Sequence, residues 1–375
     1  MKIGILTLPL HSNYGGILQA YALQEVLKRM GHEVMFMEEA KANSIMLSPF
    51  SFYFWWYLKR PLKYLLRCSF IDRSSHHDFK HYWLLNRRLR SFMMTYMPIR
   101  TCQSFVDFKA FRLDALVVGS DQIWRPLYFS NIEKAYLSFA DSWDVKRIVY
   151  AASFGTDQWE YSAEQTTRCK ELIHRFDAVS VREQSGVSFC RNFFNREADF
   201  LLDPTLLLDV SDYLQLIPSS QSERKSQTLT TYILDASTEK EIVLNSILKS
   251  GNYTKEDIPS PESHVSEFQH EEELPSIEHW IRNFHNADFV FTDSFHGCVF
   301  SILFHKPFIV FGNKERGMAR FQSLLELFGL QKRLILSQKE FEEKNWAVSI
   351  DWDFVDRKRQ EMKEKSIHFL KKNLD

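Results

Sequence analysis

Ala287-Asp288-Phe289-Val290-Phe291-Thr292-Asp293-Ser294-Phe295-His296-Gly297-Cys298 is the stretch that decides the fold, with Val299-Phe300-Ser301-Ile302-Leu303-Phe304 behind it. An apolar, β-favouring run that ends at a polar break predicts a short buried strand. Thr292, Asp293 and Ser294 offer N-cap oxygens, and the apolar run after Gly297 predicts the following helix. His296 then stands at the mouth of a strand-to-helix turn, on the carboxyl edge of a sheet. Open α/β sheets bind ligands at that edge, and helix N-termini there attract anions.

Working outward, the same rhythm fills most of the chain. Ile3 to Leu8 predicts a strand, Pro9 to Gly16 a loop, and Leu23, Val26, Leu27 and Met30 the apolar face of a helix that Gly31 stops. His32 to Met37 predicts the next strand, completing a βαβ unit. Strands at 115–118, 147–154, 178–181 and 200–202 end in Gly119-Ser120-Asp121-Gln122-Ile123-Trp124, Gly155, Arg182-Glu183 and Asp203-Pro204-Thr205. Polar residues thus collect along one sheet edge. Neither the G-x-G-x-x-G fingerprint nor a P-loop lysine occurs, so nothing supports nucleotide-phosphate binding.

A polar, serine-rich stretch around 218–227 predicts an interdomain linker. Beyond it come a strand at 229–234, a helix at 238–249 and an acidic segment at 253–275 read as an exposed loop. A helix at 276–286, a strand at 307–311, a basic loop at 312–320 and a helix at 321–328 complete the second half. The expected domains are 1–217 and 228–350, followed by a C-terminal helix at 351–375 that packs back on the first. Residues 43–110 break the rhythm and read as a helical, aromatic insertion. Within it, Phe50 to Leu58 precede Lys59, Arg60, Lys63 and Arg67. That pattern makes 50–67 a candidate for peripheral membrane contact, with burial or a cap over a cleft as the alternative.

Lysine plus arginine (47) nearly balances aspartate plus glutamate (48), which leaves no electrostatic case for nucleic acid. The five cysteines never fall in C-x-x-C spacing, and His76, His77 and His81 read as a solvated face, so no metal site is expected. The N-terminus reads as a strand rather than a signal peptide, and no run is long enough to span a bilayer. The expectation is a cytoplasmic protein, with the inner face of the membrane as a variant.

Taken together, the chain resembles the polysaccharide pyruvyl transferase family. The resemblance rests on Asn13-Tyr14-Gly15-Gly16 with Gln19-Ala20-Tyr21-Ala22-Leu23-Gln24, on Gly119 to Trp124, and on Ser180-Val181-Arg182-Glu183. It continues through Asp203-Pro204-Thr205, Asp293-Ser294-Phe295-His296-Gly297, Lys306-Pro307-Phe308 and Arg316-Gly317-Met318-Ala319-Arg320, in order along the chain. It implies an α/β fold of two Rossmann-like domains facing a cleft, similar to GT-B glycosyltransferases. It also implies transfer of the pyruvyl group of phosphoenolpyruvate, a donor substrate rather than a cofactor, to two hydroxyls of a glycan or glycan-lipid acceptor. By resemblance His296 lines the donor site and Arg182 helps hold the donor. Many members carry Arg-x-His-Gly, whereas this chain has Ser294, so that basic contact is either missing or supplied by Arg316, Arg320 or Lys314.

The residue types suit the chemistry. Arginine forks match phosphate and carboxylate, and a histidine is suited to moving protons near neutrality. The catalytic candidate is His296. Candidates for substrate contact are Arg182, Ser294, Arg316, Arg320, Asn13, Gly15, Gly16, Ser120, Asp121 and Trp124. Asp121 and Asp293 are each open to two readings, steadying a developing cation or bonding within a turn. A GT-B glycosyltransferase using a nucleotide sugar and a non-catalytic glycan-binding relative are the alternatives.

Overall fold

The computed structural model describes residues 1–40, 86–218, 227–260 and 273–375, apart from His11, Ser130, Glu315, Asn345 and Ala347. The first lobe holds a seven-stranded parallel sheet. Its strands are β1 (Lys2–Leu6), β2 (Glu33–Glu39), β3 (Ile99–Cys102), β4 (Ala115–Val118), β5 (Lys146–Ala152), β6 (Ala178–Val181) and β7 (Asp199–Phe200), in the order β3-β2-β1-β4-β5-β6-β7. The second lobe holds β8 (Thr228–Tyr232), β9 (Thr254–Asp257), β10 (Phe289–Thr292), β11 (Phe308–Phe311) and β12 (Leu334–Ile335), in the order β12-β11-β10-β8-β9. All pairings are parallel, with Ile5 opposite Val117 and Phe291 opposite Thr231.

The main helices are α1 (Tyr14–Arg29), α2 (Arg87–Tyr96), α3 (Ala163–Ile173), α4 (Gln184–Phe194), α5 (Thr238–Gly251), α6 (Ile277–Asn286), α7 (Phe295–Leu303), α8 (Ala319–Leu327) and α9 (Trp352–Leu374). Strands buried on both faces must be apolar throughout, and Ala115-Leu116-Val117-Val118 and Phe308-Ile309-Val310-Phe311 are. Alternate residues feed opposite layers. Ile3, Ile5 and Val117 join one core, while Leu6, Leu116 and Val118 join another on the far face. The first core does not stop at the lobe boundary: Ile17 and Leu18 of α1 share it with Trp280, Cys298 and Val299.

Aromatic and hydrogen-bonding contacts tie the lobes. Tyr14 stacks on Trp280 and donates its hydroxyl to the Pro275 carbonyl (2.7 Å), while the Gln184 N–H donates to Ser323 Oγ (3.0 Å). Helix α9 starts beside the second lobe, where Trp352 stacks on His305, and runs back over the first. There the Leu202 N–H donates to Ser366 Oγ, and Arg359 and Lys363 pair with Asp209.

Two readings need correction, and one short strand carried no reading. Within the expected helical insertion, Ile99–Cys102 follows Pro98 as edge strand β3, pairing with Phe36 to Glu39. Thr254–Asp257, read as loop, is edge strand β9; its polar residues hid it, because an edge strand needs little burial. The two-residue strand β12 is too short to carry a pattern. Residues 50–67, with His76, His77 and His81, lie outside the described residues. Among the described residues no helix is long and apolar enough to cross a membrane.

Leu370 is fully buried on α9 against the first lobe. Leu370→Ala is expected to destabilise the protein by about 2–5 kcal/mol, read as a shift of the urea unfolding midpoint at unchanged slope.

Candidate active site

Strand order decides which loops meet. In each sheet the chain reverses direction of travel next to its first strand, between β1 and β4 and between β8 and β10, and the crevices of open α/β sheets lie at such points. The loops carrying Asn13 and Asp121 leave the first switch, and the loop carrying His296 leaves the second. Asn13 caps α1, its Oδ1 accepting from the Gly16 N–H (3.0 Å). Gly15 is a point of close contact between the lobes: a Cβ there would lie 2.1 Å from His296 Nδ1. Only glycine lets the imidazole rest on the first turn of α1.

Arg182 is the centre. Its side chain is 1% exposed, with Nη1 donating to Asp203 Oδ2 and Nη2 to Asp121 Oδ1 (2.6 Å). Asp203 Oδ1 accepts from the Thr205 N–H and hydroxyl, so both its oxygens are used. His296 Nε2 stands 3.7 Å from Asp203 Oδ2, too far for a hydrogen bond and near enough to act through its charge when protonated. Burial alone would raise the carboxyls of Asp203 and Asp121. For Asp203 the neighbouring His296 and Arg182 outweigh it, and for Asp121 Arg182 does so first; both stay below the usual carboxylate range. Glu183 goes the other way, pushed up by burial. Its Oε1 accepts from the Phe154 N–H (2.6 Å), and Oε2 is buried without a hydrogen bond.

The second lobe contributes Phe295 and Arg320. The Arg182 guanidinium lies 4.6 Å from the Phe295 ring centroid and that of Arg320 lies 5.2 Å from it, so one ring carries two cations. Arg320 is 6% exposed, and its pKa is pushed down to about 10, by burial first and by Arg182 second. Three buried nitrogens around this ring, Arg182 Nε, Arg320 Nε and His296 Nε2, have no hydrogen-bond partner among the described residues. A buried donor left unpaired costs free energy, so the cluster favours a ligand that brings hydrogen-bond acceptors.

The other candidates separate by what they touch. Ser294 Oγ accepts from the Gly297 N–H (3.3 Å), capping α7. Asp293 accepts from the Leu234 N–H (2.6 Å), the Asp235 N–H and Lys240 Nζ (2.7 Å), which makes it a clamp on the β8–α5 loop; Asp121 faces the guanidinium instead. Arg316 forms a two-pronged pair with Asp235, and Lys314 is exposed. Ser120 and Trp124 spend their donors inside the first lobe. Both are fully buried, Ser120 donating to the Ala151 carbonyl (2.8 Å) and Trp124 to the Ala135 carbonyl while stacked on Tyr136.

Asp203 and Phe295 are the residues sequence reasoning missed. Asp203 stood among the polar strand ends, but an Asp-Pro-Thr turn explains itself by local bonding, and nothing pointed to Arg182. A groove of about 690 Å³, lined by His174, Arg196, Lys365 and His368 among others, lies at the amino ends of β6 and β7 and contains none of these residues. Among the described residues no cluster of His, Cys, Asp or Glu is placed to hold a metal ion.

Two parallel α/β lobes with their strand ends and helix N-termini turned on one cleft define a GT-B-like architecture. UDP-GlcNAc 2-epimerase from Neisseria meningitidis bound to UDP-GlcNAc shares it at a TM-score of 0.52 and 9% identity over 100% of both chains. Arabidopsis thaliana UGT89C1 complexed with UDP-L-rhamnose does so at 0.51 and 9% over 98% of both. The chain itself belongs to the polysaccharide pyruvyl transferase family, whose model matches residues 13–315. No curated protein sequence matches it.

Two outcomes follow from the charge cluster. Asp203→Asn leaves Arg182 short of one buried carboxylate and is expected to lower stability at pH 7 by roughly 3–5 kcal/mol. Depressed carboxyls stabilise the fold fully above the ordinary carboxylate pKa of about 4 and lose that contribution only as pH falls on through the lowered folded-state pKa, so the gap between the urea midpoints of variant and parent should begin to narrow below about pH 4 and keep narrowing to the most acidic pH measured. Gly15→Ala is expected to displace the imidazole and reduce turnover, while far-ultraviolet circular dichroism shows the fold retained.

Proposed function

We propose that this protein transfers the pyruvyl group of phosphoenolpyruvate to two hydroxyls of a sugar in a polysaccharide or its lipid-linked precursor. The observation that carries the reading is the trio of unpartnered buried nitrogens, on Arg182, Arg320 and His296, gathered around Phe295 between the lobes. A small donor with a phosphate and a carboxylate supplies the acceptors those nitrogens lack. Many similar members place a basic residue where Ser294 stands, and here Arg320 takes that part, stacked on the next residue, Phe295.

The atoms balance as follows. A proton adds to the methylene carbon of the enol, leaving an oxocarbenium-like centre at C2. One sugar hydroxyl attacks C2 and loses its proton; the C2–O bond to phosphate then breaks. The second hydroxyl attacks and loses its proton, giving a methyl-bearing ketal and free phosphate. His296 is the group that carries a proton between hydroxyl and carbon or phosphate. The carboxylates of Asp121 and Asp203, kept ionised beside Arg182, hold negative charge near the cationic centre.

The expected result is phosphate release from phosphoenolpyruvate only when an acceptor sugar is present. His296→Ala should slow it by about 10²–10⁴-fold. Arg320→Gln should raise the KM for phosphoenolpyruvate about tenfold or more, the size expected for a lost charged hydrogen bond. Stabilisation in thermal melts by nucleotide sugars and not by phosphoenolpyruvate would overturn the reading in favour of glycosyl transfer.

A further inference from the structure

The turn after Trp124 has no part in the charge cluster, yet it is built with care. Leu127 is 70% exposed and Tyr128 39% exposed, an apolar pair turned to solvent. Tyr128 is held in place by its neighbours. Arg125 forms a two-pronged pair with Glu160 (2.8 and 2.9 Å), and its carbonyl accepts from the Tyr128 and Phe129 N–H groups. The Arg125 guanidinium lies 5.1 Å from the Tyr128 ring centroid, and its Nη1 reaches the Tyr128 hydroxyl at 3.5 Å. An aromatic ring fixed this way loses little freedom when something stacks on it.

Contacts in the chain of neighbours place this turn beside the cleft. A Cβ on Gly155 would lie 3.2 Å from Arg125 Cδ, and one on Gly317 would lie 1.7 Å from the Gly155 carbonyl oxygen. Gly317 belongs to the second lobe and separates Arg316 from the start of α8, which carries Arg320. The tyrosine is also close enough to oppose the lowering of the Arg320 pKa. A second observation points to a ligand here. Gln122 is 8% exposed, its Oε1 lies against Gly155, 2.0 Å from where a Cβ would sit, and it accepts no hydrogen bond from the described residues.

We propose that the Arg125–Phe129 turn is the acceptor platform: Tyr128 and Leu127 stack on the C–H face of a neutral pyranose, while Gln122 Oε1 and the Glu160 carboxylate accept from its hydroxyls. The apolar face of a pyranose matches an aromatic ring, whose face is electron-rich, and its hydroxyls match the unpaired Gln122 Oε1 and the lone pairs that Glu160 keeps beside its pair with Arg125. A charged donor fits poorly on this surface, because the Arg125 charge is already balanced by Glu160. This inference rests on the proposed pyruvyl transfer, and it names the part of the site that reads the sugar.

The test uses the full chain and methyl glycosides of the common hexoses and N-acetylhexosamines, with saturation-transfer NMR for sugar binding and thermal melts for phosphoenolpyruvate. The expected result is saturation transfer to ring C–H protons of at least one glycoside. Tyr128→Ala should weaken it about threefold to tenfold, the size of a stacked-ring contribution, and Tyr128→Phe should retain it. Stabilisation by phosphoenolpyruvate should survive both substitutions. Equal glycoside binding by Tyr128→Ala and the parent, loss of binding in Tyr128→Phe, or no glycoside binding by the parent would each overturn the platform. Failure of phosphoenolpyruvate to stabilise a parent that binds a glycoside through Tyr128 would sink the donor assignment alone.

Discussion

Everything in the cleft hangs on one buried guanidinium. Arg182 has left water almost completely, and a charge in that position survives only if paired and hydrogen-bonded. Its two carboxylates come from different strand ends, Asp121 after β4 and Asp203 after β7, so the pairing locks the carboxyl edge of the first sheet. The second lobe is drawn in by the same group, because Phe295 lies under the guanidinium and His296 stands beside the shared carboxylate. The site is therefore as well ordered as the core beneath it.

The division among the polar strand ends is the second lesson. Several carry an acid or a hydroxyl, and the local sequence hardly tells them apart. Asp293 and Ser294 look as functional as Asp121, but they spend their oxygens on backbone N–H groups and on Lys240. What marks the proposed donor site is the opposite condition, nitrogens with nothing to hold. Capping and turn residues make helices start where they must; unsatisfied groups show where a ligand is wanted.

Much of the fold was legible because parallel strands buried on both faces are short apolar runs, and Ala115–Val118, Phe289–Thr292 and Phe308–Phe311 stand out as such. Edge strands were not, since β9 is Thr-Lys-Glu-Asp and has little to bury. In the site, His296 and Arg182 could be named because their types and places at strand ends suit anion chemistry. The meeting of Asp203 with Arg182 spans 21 residues and depends on β6 and β7 lying side by side, which no local pattern states. Trp124 is ambiguous for a physical reason: an indole beside a polar turn fits a ligand wall and a core equally well, and here its N–H is satisfied by the Ala135 carbonyl.

Helix α9 has a mechanical consequence. It is unbroken over 23 residues, about 35 Å at the usual rise per residue. Its first turns touch the second lobe through Trp352 and the Asp356–His305 pair, and the rest is fastened along the first lobe by Arg359, Lys363, Ser366 and Phe369. A rod anchored to one body and pinned to the other near one end resists sliding and permits rotation.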